Sequence, residues 1–231
     1  MYSTTQPLRN LLNEPQRAQL AEYRGRLLAA NRKLNLTSID DPDVVDARLI
    51  GESLALLDLL PAFAATLLDI GSGGGVPGVP LAIGAPTVQV TLLDATQKKV
   101  DFLRTTADAL ALANVTALQG RAEELGRDPA HREHYDVVTA RAVARLATLV
   151  ELALPLLRVG GVALLPKGEA AVAELDEAGE ALHELGGTGR LVTRDDPPLR
   201  VIVVEKTSPT PERYPRRTGL PQKRPIGVPP R

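Results

Sequence analysis

From Thr66 onward, short apolar runs alternate with stretches whose apolar side chains recur every three or four residues. The runs predict strands at 66–70, 88–93, 115–119, 135–140, 160–166, 188–194 and 199–205. The longer spacing predicts helices at 77–84, 96–113, 145–157 and 170–184. Strands that alternate with helices imply a mostly parallel sheet covered on both faces. The last two strands are joined by Arg194-Asp195-Asp196-Pro197-Pro198, with no helix between them. They are therefore expected to pair as an antiparallel hairpin. The expected fold class is α/β, with a Rossmann-like, mostly parallel seven-stranded sheet that ends in that hairpin.

The two ends of the chain have different patterns. Residues 1–62 lack strand signals and predict a helical N-terminal extension. Asn13-Glu14-Pro15 reads as a helix start with proline in the first turn, followed by Leu20, Leu27, Leu28 and Leu34 at helical spacing. Asp41-Pro42 starts a second helix, which carries Val44, Val45, Leu49, Leu54, Leu57 and Leu60. A lone helix pair buries little surface, so this extension should dock on the main domain, residues 63–206. Residues 207–231 read as a basic, proline-rich tail. With Lys206 the stretch holds seven Lys or Arg, seven prolines and one acid, Glu212. That composition predicts an extended segment with no helix or sheet of its own, either solvated or serving as a basic arm for phosphates.

The densest chemical signal is Leu67-Leu68-Asp69-Ile70-Gly71-Ser72-Gly73-Gly74-Gly75, an apolar strand that runs into a glycine loop. A helix-compatible segment starts just beyond it, so a nucleotide-like ligand can lie against bare backbone. Gly73, Gly75 and Gly78 fit GxGxxG, the dinucleotide fingerprint. Gly71, Gly73 and Gly75 fit GxGxG, with Asp69 two residues ahead. Asp94 ends the next strand, beside that loop at the carboxyl edge of a parallel sheet. A carboxylate there can accept both hydroxyls of an adenosine ribose, and it can also cap the following helix. Gly120-Arg121-Ala122-Glu123-Glu124 follows the third strand, where Glu123 or the Ala122 backbone can meet an adenine edge. Arg141, after the fourth strand, faces the reacting centre in this kind of fold and can hold a carboxylate, a phosphate or a base oxygen.

Composition removes several chemistries. The chain has 231 residues, 44% of them hydrophobic, which is ample for one sizeable core. It has no Cys, so disulfides, cysteine zinc sites and thiolate catalysis are excluded. His131, His134 and His183 form no convincing metal set, and no metal is expected. The best apolar run, Leu54 to Ile70, is interrupted by Asp58, Pro61 and Asp69. Neither a signal peptide nor a membrane span is expected, which places the protein in the cytoplasm. The formal net charge of −1 leaves any nucleic-acid contact to local patches such as Arg32-Lys33, Arg48, Lys98-Lys99 and Lys167. Only six aromatic residues are present, too few for a broad base-stacking platform.

The chain resembles the bacterial ribosomal small-subunit methyltransferase G family, also called glucose-inhibited division protein B. The resemblance rests on Asn31-Arg32-Lys33-Leu34-Asn35-Leu36-Thr37 and on Asp69 to Gly75 continued by Val76-Pro77-Gly78-Val79-Pro80-Leu81. It continues at Leu93-Asp94-Ala95-Thr96-Gln97-Lys98-Lys99, Gly120-Arg121-Ala122-Glu123, Ala140-Arg141-Ala142, Lys167-Gly168 and Tyr214-Pro215-Arg216-Arg217. It implies a class I S-adenosylmethionine-dependent enzyme that methylates guanine N7 in 16S rRNA, either free or in an assembling small subunit; nothing in the sequence suggests an obligate dimer, and a monomer is expected. The cofactor contacts it implies are Gly71, Gly73, Val76, Asp94, Ala95, Thr96, Ala122, Glu123 and Arg141. Arg141 and Lys167 are expected at the transfer site. Family members often read Arg-His-x-x-Asp-Ser-Leu in the second N-terminal helix, where this chain reads Arg48-Leu49-Ile50-Gly51-Glu52-Ser53-Leu54.

The residues agree with N7 chemistry. Guanine N7 carries a free lone pair and no proton at neutral pH, so it needs no general base, only alignment. Methylation of an exocyclic amine usually shows Asn/Asp-Pro-Pro-aromatic after the fourth strand. Asp196-Pro197-Pro198-Leu199 imitates that motif but falls between the last two strands, where it reads as a turn. A nicotinamide-dependent oxidoreductase, which the GxGxxG register would suit, is a distant alternative, and two others stand closer to this reading. One is a methyltransferase of the same fold acting on a small molecule or protein, and the other is a non-catalytic RNA-binding or assembly protein that keeps a cofactor pocket.

Overall fold

The computed structural model describes residues 12–228. The first helix, α1 (Glu14–Leu34), starts where its chemistry dictates. The Asn13 side chain accepts from Gln16 N, and the Gln16 side chain accepts from Asn13 N, which satisfies two orphan donors of the first turn. The second helical stretch is capped by Asp41, whose Oδ1 accepts from Asp43 N and Val44 N. It then changes character along its length: α-helical at Pro42–Val44, π-helical at Val45–Gly51, α-helical at Glu52–Leu54 and 3-10 at Ala55–Leu59. Tyr23, Leu27, Val45, Leu54 and Leu56 are buried against the main domain.

The sheet is β1 (Thr66–Ile70), β2 (Gln89–Asp94), β3 (Val115–Gln119), β4 (Tyr135–Thr139), β5 (Leu157–Lys167), β6 (Gly187–Asp195) and β7 (Pro198–Lys206). Its order is β3-β2-β1-β4-β5-β7-β6. The first five strands run parallel, and β7 pairs antiparallel with both β5 and β6. The expected hairpin therefore forms, with β7 inserted between β5 and β6. The order in which strands are added to the sheet switches sides between β1 and β4, and the carboxyl ends of those strands open the crevice where such sheets take ligands. Strands buried on both faces read as continuous apolar runs, and Leu67, Leu68, Val137, Val138, Leu164 and Ile202 all lack solvent exposure.

Several boundaries differ from the pattern-based expectation, each for a local reason. The helix expected at 145–157 is Leu146–Ala153, because Pro155 lacks the N–H a further turn requires. The residues after it belong to β5, which starts at Leu157 instead of 160. The helix expected at 170–184 is two, Ala171–Glu177 and Gly179–Leu185, parted near Gly179. The helix expected at 96–113 is Gln97–Ala109, and Ala111 turns left-handed just beyond it with φ 50°.

The C-terminal segment also departs from expectation. It carries a short helix, Leu220–Lys223, and it lies on the domain, with Tyr214, Pro221 and Ile226 buried. Of its expected cations, Lys206 is fully buried and reaches Glu133 Oε1 at 2.6 Å and the carbonyls of Leu154 and Leu157 at 2.8 Å. Arg213 pairs with Glu184, and Arg216 pairs with Glu151, which is itself fully buried. Arg217, Lys223 and Arg224 stay exposed. Arg231 lies outside the described residues.

Candidate active site

The glycine loop is built by the strand before it and the helix behind it. Ser72 N donates to Leu93 O at 2.9 Å, which ties the loop to β2. Gly71 and Gly73 turn with φ of 67° and 54°, a conformation L side chains avoid. A Cβ on Gly71 would stand 2.8 Å from Val143 Cγ2, so the loop after β1 packs directly on the loop after β4. From below, Tyr23 Oη donates to Gly74 O at 2.8 Å, and Leu27 fills the space a Gly74 side chain would need. Burial pushes the Tyr23 phenol well above its usual range, so it remains a neutral donor. The N-terminal helix is thus part of the loop's support.

Asp94 closes the loop from the neighbouring strand. Its Oδ2 accepts from Gly73 N at 3.0 Å and its Oδ1 from Thr96 N at 2.8 Å. Two fixed donors lock the carboxylate's orientation and leave acceptor capacity on both oxygens. Thr96 is the N-cap residue of the following helix, but the Asp94 side chain satisfies its N–H. The expected cap is thus displaced by two residues, and the Asp94 carboxylate steadies the entry to the helix through Thr96 N while keeping acceptor capacity. Ala95 and Thr96 flank it at the surface.

Asp69, fully buried at the end of β1, accepts from Gly78 N through Oδ2 at 3.2 Å, while its Oδ1 has no partner. Burial is the largest influence on its carboxyl, and Asp94 adds to it. Against the relief of the Gly78 N–H, they push it up to about 7.

Glu123 has a partner within the chain that the sequence did not show. Its Oε1 accepts from Gly219 N at 2.9 Å, and Thr218 Oγ1 reaches the adjacent Glu124 at 3.4 Å. The C-terminal segment therefore engages one oxygen of the Glu123 carboxylate. That end offers a ligand the other oxygen of Glu123 and the backbone of Ala122 and Glu123, at the start of a short helical turn, Ala122–Leu125.

Beyond the loop lies a cleft of about 610 Å³ lined by Arg48, Glu52, Arg141, Lys167, Glu174 and Arg200, among others. Arg141 stands where the sequence places it but is not free. Its Nη2 lies 2.8 Å from Glu52 Oε2, and its side chain is 18% exposed. Its Nη1 is buried with no partner. Lys167 is more constrained still. Its Nζ donates to Ala144 O and to Glu174 Oε2, both at 2.8 Å, and Glu174 Oε2 also accepts from Leu146 N. Lys167 therefore braces the 140–146 loop, in which Ala142 is held at φ 55°. The sequence missed Glu52 and Glu174 as members of this site. Glu52 had a signal, since it stands where the resembling family often has Asp.

The site thus gathers Gly71, Gly73, Val76, Asp94, Ala95, Thr96, Ala122 and the backbone of Glu123 along one sheet edge, with Arg141 and Lys167 in the adjoining cleft. Its parts fit a sulfonium nucleoside. The edge offers an oriented carboxylate for ribose hydroxyls, glycines that admit close approach, and a spare buried guanidinium donor for an anionic group.

The sequence profile described as rRNA small subunit methyltransferase G matches residues 16–193. The chain belongs to this family. It is 45% identical over 222 residues to the ribosomal RNA small subunit methyltransferase G of Chloroflexus aggregans, covering 93% of this chain and 92% of that one. It is 47% identical over 219 residues to the protein of the same name from Roseiflexus castenholzii, covering 93% and 94%. Among solved structures it is similar to an O-methyltransferase from Bacillus cereus in complex with SAH, with TM-score 0.55 and 19% identity over 79% of this chain and 90% of that one. That likeness concerns the fold, the class I S-adenosylmethionine-dependent methyltransferase fold. A methyltransferase G chain thus carries an N-terminal helical layer and a packed C-terminal segment around that sheet. Among the described residues, no group of His, Cys, Asp or Glu could hold a metal, and no helix is long and apolar enough to cross a membrane.

Proposed function

We propose that this chain transfers the methyl group of S-adenosylmethionine to N7 of a guanine in 16S rRNA, acting in the cytoplasm as a monomer on the free rRNA or the assembling small subunit. The observation that carries the reading is the bracket formed by Gly73 N and Asp94 Oδ2, 3.0 Å apart, at the switch point of a chain that belongs to the methyltransferase G family. Asp94 receives the ribose hydroxyls, and Gly71, Gly73 and Val76 admit the cofactor's methionine end. The backbone of Ala122 and Glu123 meets the adenine edge, and the spare Nη1 of Arg141 receives the carboxylate. When bound, S-adenosylmethionine supplies a methyl on a positively charged sulfur, which a lone pair takes in line, leaving a neutral thioether.

No residue has to remove a proton, because guanine N7 carries none. The chain's work is alignment, which can supply roughly 7–11 kcal/mol of a barrier. Arg141, clamped by Glu52, fixes the cofactor side of the cleft. Lys167 holds the 140–146 loop against Gly71 through Ala144 and Glu174, which preserves the gap between the two reactants. The base must leave its stack to enter this cleft. The test is methyl transfer from labelled S-adenosylmethionine to unmodified 16S rRNA and to small subunits, followed by chemical cleavage at 7-methylguanine. One cleaved site is the expected result. Incorporation without cleavage overturns the N7 assignment, and no incorporation with the cofactor bound overturns the rRNA reading.

A further inference from the structure

Glu52 is a carboxylate in a cleft otherwise dominated by cations. It reaches that place through an irregular piece of helix. Val45–Gly51 winds as a π-helix, and the Glu52 N–H that ends it bonds back to Ala47 O, five residues away. The wider turn shifts every later side chain around the axis, and such turns recur at functional sites. Here it brings Arg48 and Glu52 to the rim and wall of the same cleft as Arg141 and Lys167.

The charge contacts of Glu52 are lopsided. Oε2 is 2.8 Å from Arg141 Nη2, whereas Oε1 is only within 3.7 Å of Arg48 Nε, on a side chain that is largely exposed. Glu174, another acid of the cleft, already accepts from Lys167 and from Leu146 N through one oxygen. Glu52 is therefore an oriented carboxylate with an open acceptor face and 14% exposure, clamped from behind by Arg141.

We propose that Glu52 reads the target base, accepting the N1–H and N2–H of guanine on its two oxygens. This rests on the guanine N7 reading above. Guanine presents those two donors side by side on its Watson–Crick edge, spaced to match a carboxylate, and N7 lies on the other edge. Contact through N1 and N2 therefore leaves N7 free to face the methyl. Adenine presents an acceptor at N1, which a carboxylate repels, and cytosine and uracil have no N7. Glu52 is a specificity-determining residue, and Arg141 is its positioning partner. The negative charge beside the base also favours the positive charge that the ring acquires as N7 takes the methyl.

The test compares two substrates that differ at one group. 16S rRNA is assembled with either guanine or inosine at the position found methylated; inosine keeps N7, O6 and N1–H but lacks the N2 amine. The unaltered chain should prefer guanine in kcat/KM by roughly tenfold, the worth of one polar contact of about 1.4 kcal/mol. Glu52→Ala should lower transfer to guanine more than to inosine, so that the ratio falls toward one. Glu52→Asp, which keeps the carboxylate, should retain most of the ratio. A ratio is insensitive to a general loss of folded enzyme, and S-adenosylmethionine affinity measured on each variant checks the cofactor site. A ratio unchanged in Glu52→Ala overturns this assignment alone. Absence of any transfer to guanine by the unaltered chain with cofactor bound overturns the underlying function as well.

Discussion

Asp94 and Asp69 are two carboxylates about one strand apart with opposite fates, decided by their donors. Asp94 has two backbone N–H donors and lies at the sheet edge, ready for hydroxyls. Asp94→Ala removes both the acceptor and the tether on Gly73. S-adenosylmethionine affinity in calorimetry is expected to fall by tenfold or more, since a hydrogen bond to a charged group contributes about 1.5–3 kcal/mol; unchanged affinity would move the ribose elsewhere. Asp69 is buried with one oxygen unpartnered, and its carboxyl is raised from 3.8 to about 7. The folded chain keeps that proton after the unfolded chain has lost it. The associated stability is complete below the ordinary value of 3.8, declines as pH rises, and is gone above about 7. At about 1.36 kcal/mol per unit, the loss is at most roughly 4 kcal/mol. Urea unfolding between pH 5 and 8 should therefore show a steeper decline for the wild-type chain than for Asp69→Asn. Parallel curves would assign the pH dependence to other groups.

At the scale of elements, the C-terminal segment is a strap. Glu151, fully buried on Leu146–Ala153, accepts from Arg216 N and lies in contact with the Arg216 guanidinium, while Gly219 N reaches Glu123. Glu151 helps hold the Arg216 guanidinium firmly protonated. Removing one partner of such a pair leaves a charge uncompensated in the interior, at a cost of about 3–5 kcal/mol. Arg216→Ala should therefore lower the urea midpoint and weaken S-adenosylmethionine binding together; a drop in rRNA affinity alone would mark Arg216 as an RNA contact. The N-terminal helix has the corresponding role below the loop, where Tyr23→Phe would remove the hydrogen bond to Gly74 O.

For the whole molecule, a net charge of −1 rules out a global field as the source of RNA affinity. Exposed cations are spread over local patches: Arg48 and Arg200 at the cleft, Arg217, Lys223 and Arg224 on the strap, and Arg32, Lys33 and Lys98 among those elsewhere. If three to five of them meet phosphates, log K against log salt should have a slope of about −2 to −4 on single-stranded RNA, at roughly −0.7 per contact. Arg217→Ala together with Lys223→Ala should flatten that slope by about one to one and a half without changing cofactor affinity. An unaltered slope would place the phosphates elsewhere.

The sequence by itself determined the α/β class, the alternating strands, the hairpin and the glycine loop with Asp94, because each follows from side-chain period or from a local backbone requirement. Asn13, Asp41 and Pro155 likewise set helix ends through groups a few residues away. Only the tertiary structure decided the rest. Glu123 meets Gly219, Arg141 meets Glu52, Lys167 meets Glu174 and Arg216 meets Glu151 through contacts that, apart from Lys167–Glu174, span dozens of residues. Composition made the tail read as a basic arm, yet Lys206, Arg213 and Arg216 pair with Glu133, Glu184 and Glu151, acids far away in sequence. A charge count carries no information about such partners, since burial and pairing are set by which faces the fold brings together.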